Sequence, residues 1–201
     1  MPLPSDKTAP PPLVLASTSP FRRELLARLQ IPFDTASPDV EETALPGEPP
    51  EALVTRLAEA KARAVAKNQA NALIIGSDQV ATIDDRILGK PGGHEQAIEQ
   101  LRAASGRRVT FYTGLALLNN ASDRLQVSCE TFHCHFRRLS DTQIDHYLRR
   151  EQPYNCAGSF KSEGLGIALF ERLEGGDPNT LIGLPLIRLV EMLGAEGVAV
   201  L

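Results

Sequence analysis

Leu13-Val14-Leu15-Ala16-Ser17-Thr18-Ser19-Pro20-Phe21-Arg22-Arg23 is the stretch whose reading sets the fold. Four apolar residues in a row read as a short buried strand, and the Ser-Thr-Ser-Pro that follows reads as a helix start. Ser19 suits the N-cap and Pro20 the first helical position, where a missing N–H costs nothing. The pattern predicts a helix to about Gln30. Further out, residues 33–36 are a second strand candidate, and a polar, proline-bearing stretch leads into a long helix over residues 50–68. Ala72-Leu73-Ile74-Ile75 reads as another buried strand, ending in Gly76-Ser77-Asp78, and Asp84-Asp85 as a turn into Arg86-Ile87-Leu88.

The second half reads differently. Residues 94–104 are expected to be helical, and residues 109–118 and 125–136 to form a long antiparallel hairpin. Ser140 caps a helix to about Arg150, residues 166–170 read as a strand, residues 175–179 carry turn chemistry, and residues 185–193 form a last helix. Early alternation of strand and helix followed by a hairpin predicts an α/β fold with a mixed sheet.

The 201 residues suit one domain, expected over residues 13–201, after a disordered leader at residues 1–12. That leader, MPLPSDKTAPPP, holds five prolines and no apolar core, and is not expected to act as a signal peptide. With 42% hydrophobic and 23% charged residues the chain can bury a sizeable core, which excludes a disordered chain or a collagen-like repeat. A net charge of −4 argues against a nucleic-acid partner, and the lack of a long apolar run argues against a membrane span. Cys129, Cys134 and Cys156 show neither disulfide nor zinc spacing, which fits a reducing compartment and a cytoplasmic location.

Several charges sit where a solvated surface would not put them. On the first helix, with Phe21 at zero, Leu25, Leu29 and Leu26 fall near about 40°, 80° and 140°, and Arg22 near about 100°, inside that apolar face. Arg22 and Arg23 also lie in a helical first turn, which repels cations unless an anion is held there; the alternative is that both snorkel to solvent or pair with nearby acids. On the next helix Lys61 falls between Leu57 and Val54, and the stripe alone favours snorkelling over a cleft. Asp78, placed at a strand end, either binds a metal, activates water or caps a local turn. Glu41 and Glu42 add loop carboxylates, and Gly89-Lys90-Pro91-Gly92-Gly93 and Phe160-Lys161-Ser162-Glu163-Gly164 add lysines in glycine-bearing loops. Neither is a P-loop or a dinucleotide fingerprint. Together these are ingredients of a polyphosphate-and-metal site. His133-Cys134-His135 invites a metal reading, but lacks four-ligand spacing and fits an ordinary strand.

Ala16-Ser17-Thr18-Ser19-Pro20-Phe21-Arg22 resembles the opening motif of the Maf family of nucleotide pyrophosphatases. Arg56-Leu57-Ala58 with Lys61-Ala62, Gly76-Ser77-Asp78-Gln79-Val80, Gly89-Lys90-Pro91, Ala157-Gly158-Ser159-Phe160 and Gly183-Leu184-Pro185-Leu186 resemble further family blocks, in order, from about Leu13 to Leu193. The resemblance implies a mixed sheet with flanking helices and two lobes around a cleft, related to the inosine triphosphatase fold. It implies hydrolysis of a nucleoside triphosphate to a monophosphate and pyrophosphate with a divalent cation, Mg²⁺ or Mn²⁺. It makes Asp78 the proton acceptor, Ser17, Arg22, Lys61 and Lys90 phosphate ligands, and Glu42 with Asp78 the metal ligands. Phe21, Gln79 and Glu163 fall where the family's substrate subgroups differ and resemble the YceF subgroup, which hydrolyses 7-methyl-GTP. Methylation at N7 leaves the purine cationic, which suits an aromatic face and a carboxylate. A homodimer is compatible with the resemblance. Rival expectations are a non-catalytic nucleotide-binding regulator of cell division and a pyrophosphatase for another nucleotide.

Overall fold

The structure is a computed structural model that describes residues 11–84 and 86–201; residues 1–10 of the expected leader, and Asp85 of the expected turn, lie outside them. The opening stretch forms strand β1 (Leu13–Ala16) and helix α1 (Pro20–Ala27). Ser19 caps α1, its Oγ accepting from the Arg22 N–H. The helix stops short of the expected Gln30, which takes a left-handed backbone at φ 55° just ahead of Ile31 and Pro32.

The chain continues through β2 (Asp34–Ala36), α2 (Pro50–Ala66), β3 (Leu73–Ile83), β4 (Arg86–Leu88), α3 (His94–Ala104), β5 (Arg108–Asn119), β6 (Arg124–Phe136), α4 (Asp141–Glu151), β7 (Phe170–Glu174), α5 (Pro178–Ile182) and α6 (Leu186–Ala195). Seven strands make one sheet in the order β2-β1-β3-β5-β6-β7, with β4 on β3. β1 runs parallel to β2 and β3, and the remaining pairs are antiparallel, so the sheet is mixed.

Three local expectations are corrected. Gly76-Ser77-Asp78 does not end a strand, because β3 stays paired with β5 from Leu73↔Asn119 to Thr82↔Thr110. What ends there is the parallel partner, whose last register pair is Ala16↔Gly76. Residues 165–169 form a 3₁₀ turn in place of the expected strand, and β7 starts at Phe170. Within the expected turn at residues 175–179, Asp177 caps a short helix, accepting from the Asn179 N–H at 2.8 Å, while its other oxygen takes the Ile187 N–H at the start of α6.

The core divides into three clusters, and their arrangement creates the cleft. Leu15, Leu25, Leu26, Leu73, Ile75, Leu189 and Leu193 pack one face of the parallel region against α1 and α6. Val14, Ala58, Ala62, Ile74 and Ala116 pack its other face against α2. The far halves of β3, β5 and β6 form a second lobe under α3 and α4, around Phe111, Phe132, Phe136, Phe160 and Phe170. Edge-to-face aromatic pairs with centroids 4.9 to 5.6 Å apart order that lobe.

α2 lies unusually close to the sheet. A Cβ on Gly76 would fall 2.0 Å from the Ala58 carbonyl oxygen, and one on Gly114 would fall 2.1 Å from that of Val54. Only glycine leaves room for the helix backbone at both points. Gly114 is also the register partner of Asp78, so this close approach lowers the α2 face carrying Lys61 onto the strand carrying Asp78.

Candidate active site

Between the lobes lies an open cavity of about 720 Å³. Ser17, Phe21, Arg22, Glu42, Lys61, Asp78, Gln79, Lys90 and Glu163, which the sequence singles out from six separated segments, all line it. Arg23 and Glu41 do not; Arg23 is exposed, and the Glu41 carboxylate turns onto the Thr43 hydroxyl and N–H beside it.

Lys61 does not snorkel. Its side chain is 7% exposed, and Nζ lies 2.6 Å from both Asp78 Oδ1 and Glu42 Oε1. The apolar stripe that favoured an outward lysine carries it onto the cavity wall, where two carboxylates hold the charge. Glu42 comes from the loop before α2, which Arg56 ties down by a two-pronged bond to Glu48, 2.6 and 2.7 Å, and a third bond to the Thr43 carbonyl. No donor among the described residues reaches Asp78 Oδ2, and that oxygen is not sealed from solvent, so it opens on the cavity.

Arg22 faces the same group from α1. Nε donates to the Gly183 carbonyl at 2.8 Å, and Ser77 Oγ donates to that same oxygen at 3.0 Å. Burial lowers the Arg22 pKa, and the charges of Asp78 and Glu42 oppose that shift. Beside it Ser17 is buried and accepts from the Ser19 N–H. Among the described residues nothing accepts the Phe21 N–H, so the first turn of α1 keeps a free donor at the cavity.

Gln79 is held in one orientation. Its Nε2 lies 2.7 Å from the Thr180 carbonyl, 3.2 Å from that of Leu181 and 2.9 Å from Thr113 Oγ1. Two carbonyls accept only, so the amide nitrogen must face them and Oε1 faces the cavity as an acceptor. Lys90 is exposed in a loop fixed by the Gly92 N–H to Tyr154 and by Gln100 to the Gly89 carbonyl.

Sequence reading missed two parts of this wall. One is the segment Gln152, Pro153, Asn155, Cys156 and Ala157; the other is the run of backbone carbonyls at Thr180, Leu181 and Gly183. The Asp177-Pro178 pair repeats the cap-and-proline logic of Ser19-Pro20 and could have revealed the short helix that supplies those carbonyls. No group of three His, Cys, Asp or Glu able to hold a metal occurs among the described residues. His133 pairs with Thr110 and His135 with Glu174, while Cys134 faces the core, its thiol pushed up to about 12 by burial.

In class, this is an α/β protein whose cleft gathers cationic groups around two carboxylates. Its fold is similar to that of the Staphylococcus aureus Ham1 protein, with a TM-score of 0.52 over 92% of this chain and 98% of that one, at 18% identity. Residues 12–196 match the family described as Maf-like protein, and the chain belongs to the Maf family. Similar relatives are proteins named 7-methyl-GTP pyrophosphatase. That of Nitrosococcus oceani is 61% identical, covering 96% of this chain and 97% of the relative. Those of Vibrio cholerae and Pseudomonas aeruginosa are 60% and 57% identical, each covering 94% of this chain and 97% and 99% of the relative.

Proposed function

We propose that the chain hydrolyses 7-methyl-GTP to 7-methyl-GMP and pyrophosphate, removing a modified nucleotide from the cytoplasmic pool. The observation that carries this is the placement of Lys61 Nζ 2.6 Å from both Asp78 and Glu42 at the wall of a cavity that Arg22 and Lys90 also line. The names and high identity of the relatives support the choice of reaction.

The triphosphate enters with its anionic tail toward Arg22, Lys61, Lys90, Ser17 and the first turn of α1. Asp78 Oδ1 is held by Lys61, which leaves Oδ2 to orient a water and accept its proton as the water attacks phosphorus. The lysines and Arg22 neutralise charge on the transferring group and on the departing pyrophosphate. Glu42 and Asp78 offer hard oxygen donors, and two carboxylates completed by substrate phosphates suit Mg²⁺ or Mn²⁺, whose need for a full protein cage is small. When bound, such a cation supplies charge neutralisation and polarises the phosphoryl oxygens. At the base end, the Phe21 ring face and the Glu163 carboxylate meet the cationic methylated ring.

The test is pyrophosphate release over a panel of modified and ordinary nucleoside triphosphates, with Mg²⁺ or Mn²⁺ present. The proposal expects 7-methyl-GTP to give the highest kcat/KM. Equal or better turnover of GTP would overturn the substrate, and nucleotide binding without pyrophosphate release would overturn the enzyme in favour of a regulator.

A further inference from the structure

One side of the cavity rests on helix α4 through two residues that do not line it. Tyr147 and Glu151 lie four apart on α4, so both present their polar ends on one face of the helix. Tyr147 Oη accepts the Lys161 N–H at 3.1 Å, and Glu151 Oε2 accepts the Leu165 N–H at 2.8 Å. These are the two ends of the loop Lys161-Ser162-Glu163-Gly164-Leu165, of which Lys161, Ser162 and Glu163 line the cavity.

The loop is shaped to reach that helix. A Cβ on Gly164 would fall 2.8 Å from Glu151 Oε2 and 2.9 Å from Oε1, so a glycine there lets the carboxylate come up against the backbone. The loop closes on itself through the Gly164 N–H to the Lys161 carbonyl, and Lys161 Nζ leans back to 3.8 Å from Glu151 Oε1. Glu151 is 18% exposed by its side chain, and Tyr147 is buried in the aromatic lobe. Glu163 itself is exposed, and among the described residues its carboxylate accepts one hydrogen bond, from its neighbour Ser162, so no distant side chain fixes its place.

We propose that Tyr147 and Glu151 are positioning residues that set nucleotide preference by spanning and fixing the Lys161–Leu165 loop, and so the direction in which Glu163 meets the base. The spacing of the two acceptors along α4 sets the span of the loop. The inference deepens the proposed function and rests on it for the identity of the nucleotides compared.

The experiment measures the ratio of kcat/KM for 7-methyl-GTP to that for GTP in the full-length protein. It compares Tyr147→Phe, Glu151→Ala, Glu151→Gln, Glu163→Gln and the double variant Glu151→Ala/Glu163→Gln. Deuterium uptake of the peptide spanning residues 161–165 is followed in parallel. Glu151→Ala is expected to lower the ratio about tenfold and to speed uptake in that peptide about tenfold, the scale of one charge-assisted hydrogen bond. Glu151→Gln keeps an acceptor oxygen and should restore both to within about threefold of the wild type. Tyr147→Phe, which removes one acceptor at constant shape, should move both in the same direction. In the double variant the ratio should match that of Glu163→Gln alone, because Glu151 acts through Glu163. Unchanged uptake in Glu151→Ala, equal losses on both nucleotides, or additive effects in the double variant would overturn the inference. A wild type without preference for 7-methyl-GTP would instead overturn the substrate proposal, and loop uptake would still decide whether Glu151 anchors the loop.

Discussion

Replacing Gly114 by alanine is the sharpest test of how the site is assembled, because general expectation and this structure give opposite signs. Gly114 lies within β5, and alanine in place of a strand glycine ordinarily stabilises by about 0.5–1 kcal/mol through the unfolded chain. Here the new Cβ would sit 2.1 Å from the Val54 oxygen and 2.4 Å from its carbon. Carbon prefers a separation of about 3.5 Å, so α2 must lift by about 1 Å. Val54 and Lys61 are seven residues apart, two turns along one helix face, so the lift is transmitted to the lysine. The Lys61–Asp78 separation, now 2.6 Å, would open past hydrogen-bonding distance. Overpacking of this kind costs about 1–3 kcal/mol, or about 2–12 °C in Tm for a chain of this size. A misplacement of about 1 Å in a catalytic group lowers turnover on the order of 100-fold. Thermal unfolding and steady-state pyrophosphate release, the latter well below Tm, measure both. Gly194→Ala is the control: its Cβ would meet nothing within 4 Å, so it should gain the ordinary increment. A Gly114→Ala variant with unchanged or raised Tm and turnover within about threefold of wild type would refute the account of α2 and its lysine.

Other outcomes follow from the same geometry. Asp78→Asn should lower kcat at least about 100-fold, the scale of a lost general base, and Tm by only a few degrees, since Lys61 keeps Glu42; near-normal turnover would remove Asp78 from that role. Phe21→Trp should lower KM for 7-methyl-GTP more than for GTP, because the larger ring is the better partner for a cation, and equal changes would contradict a stacking role. Glu48 is held down to about 2 by Arg56, from an ordinary value of 4.5. Its contribution is therefore complete above pH 4.5 and lost as pH falls from there through about 2. The Tm gap between wild type and Glu48→Gln should be steady above pH 5 and close by pH 2, and a gap that persists at pH 2 would show that the ion pair is not its source.

How much was legible in the sequence depended on whether the deciding partner was local. The Ser19 and Ser140 caps, the hairpin and the limits of α3 follow from neighbouring residues, and those elements stand as read. The sequence predicts too short a β3 because Gly76-Ser77-Asp78-Gln79 carries turn-forming and polar residues. Their partners, the Gly183, Thr180 and Leu181 carbonyls, lie roughly a hundred residues on and allow those residues to stay in a strand. Periodicity located Lys61 on an apolar face but carried no information on direction, which Asp78 and Glu42 decide from two other segments. Arg22 and Arg23 share a first turn, and only the packing of α1 against α5 separates a cavity-lining arginine from an exposed one.

Ten consecutive pairs join β3 to β5, and that ladder runs unbroken from beneath α2 to the far side of the cleft. The two jaws therefore share a spine, and swinging one against the other would tear backbone hydrogen bonds that each hold their full value in a buried sheet. Adaptation to an incoming molecule is left to exposed side chains at the rim, Lys90 and Glu163 among them, carried on loops that hydrogen bonds hold in place. An enzyme with a fixed gape selects by refusing what does not fit the aperture, and heat or ligand should change the order of those rim side chains long before it changes the bite.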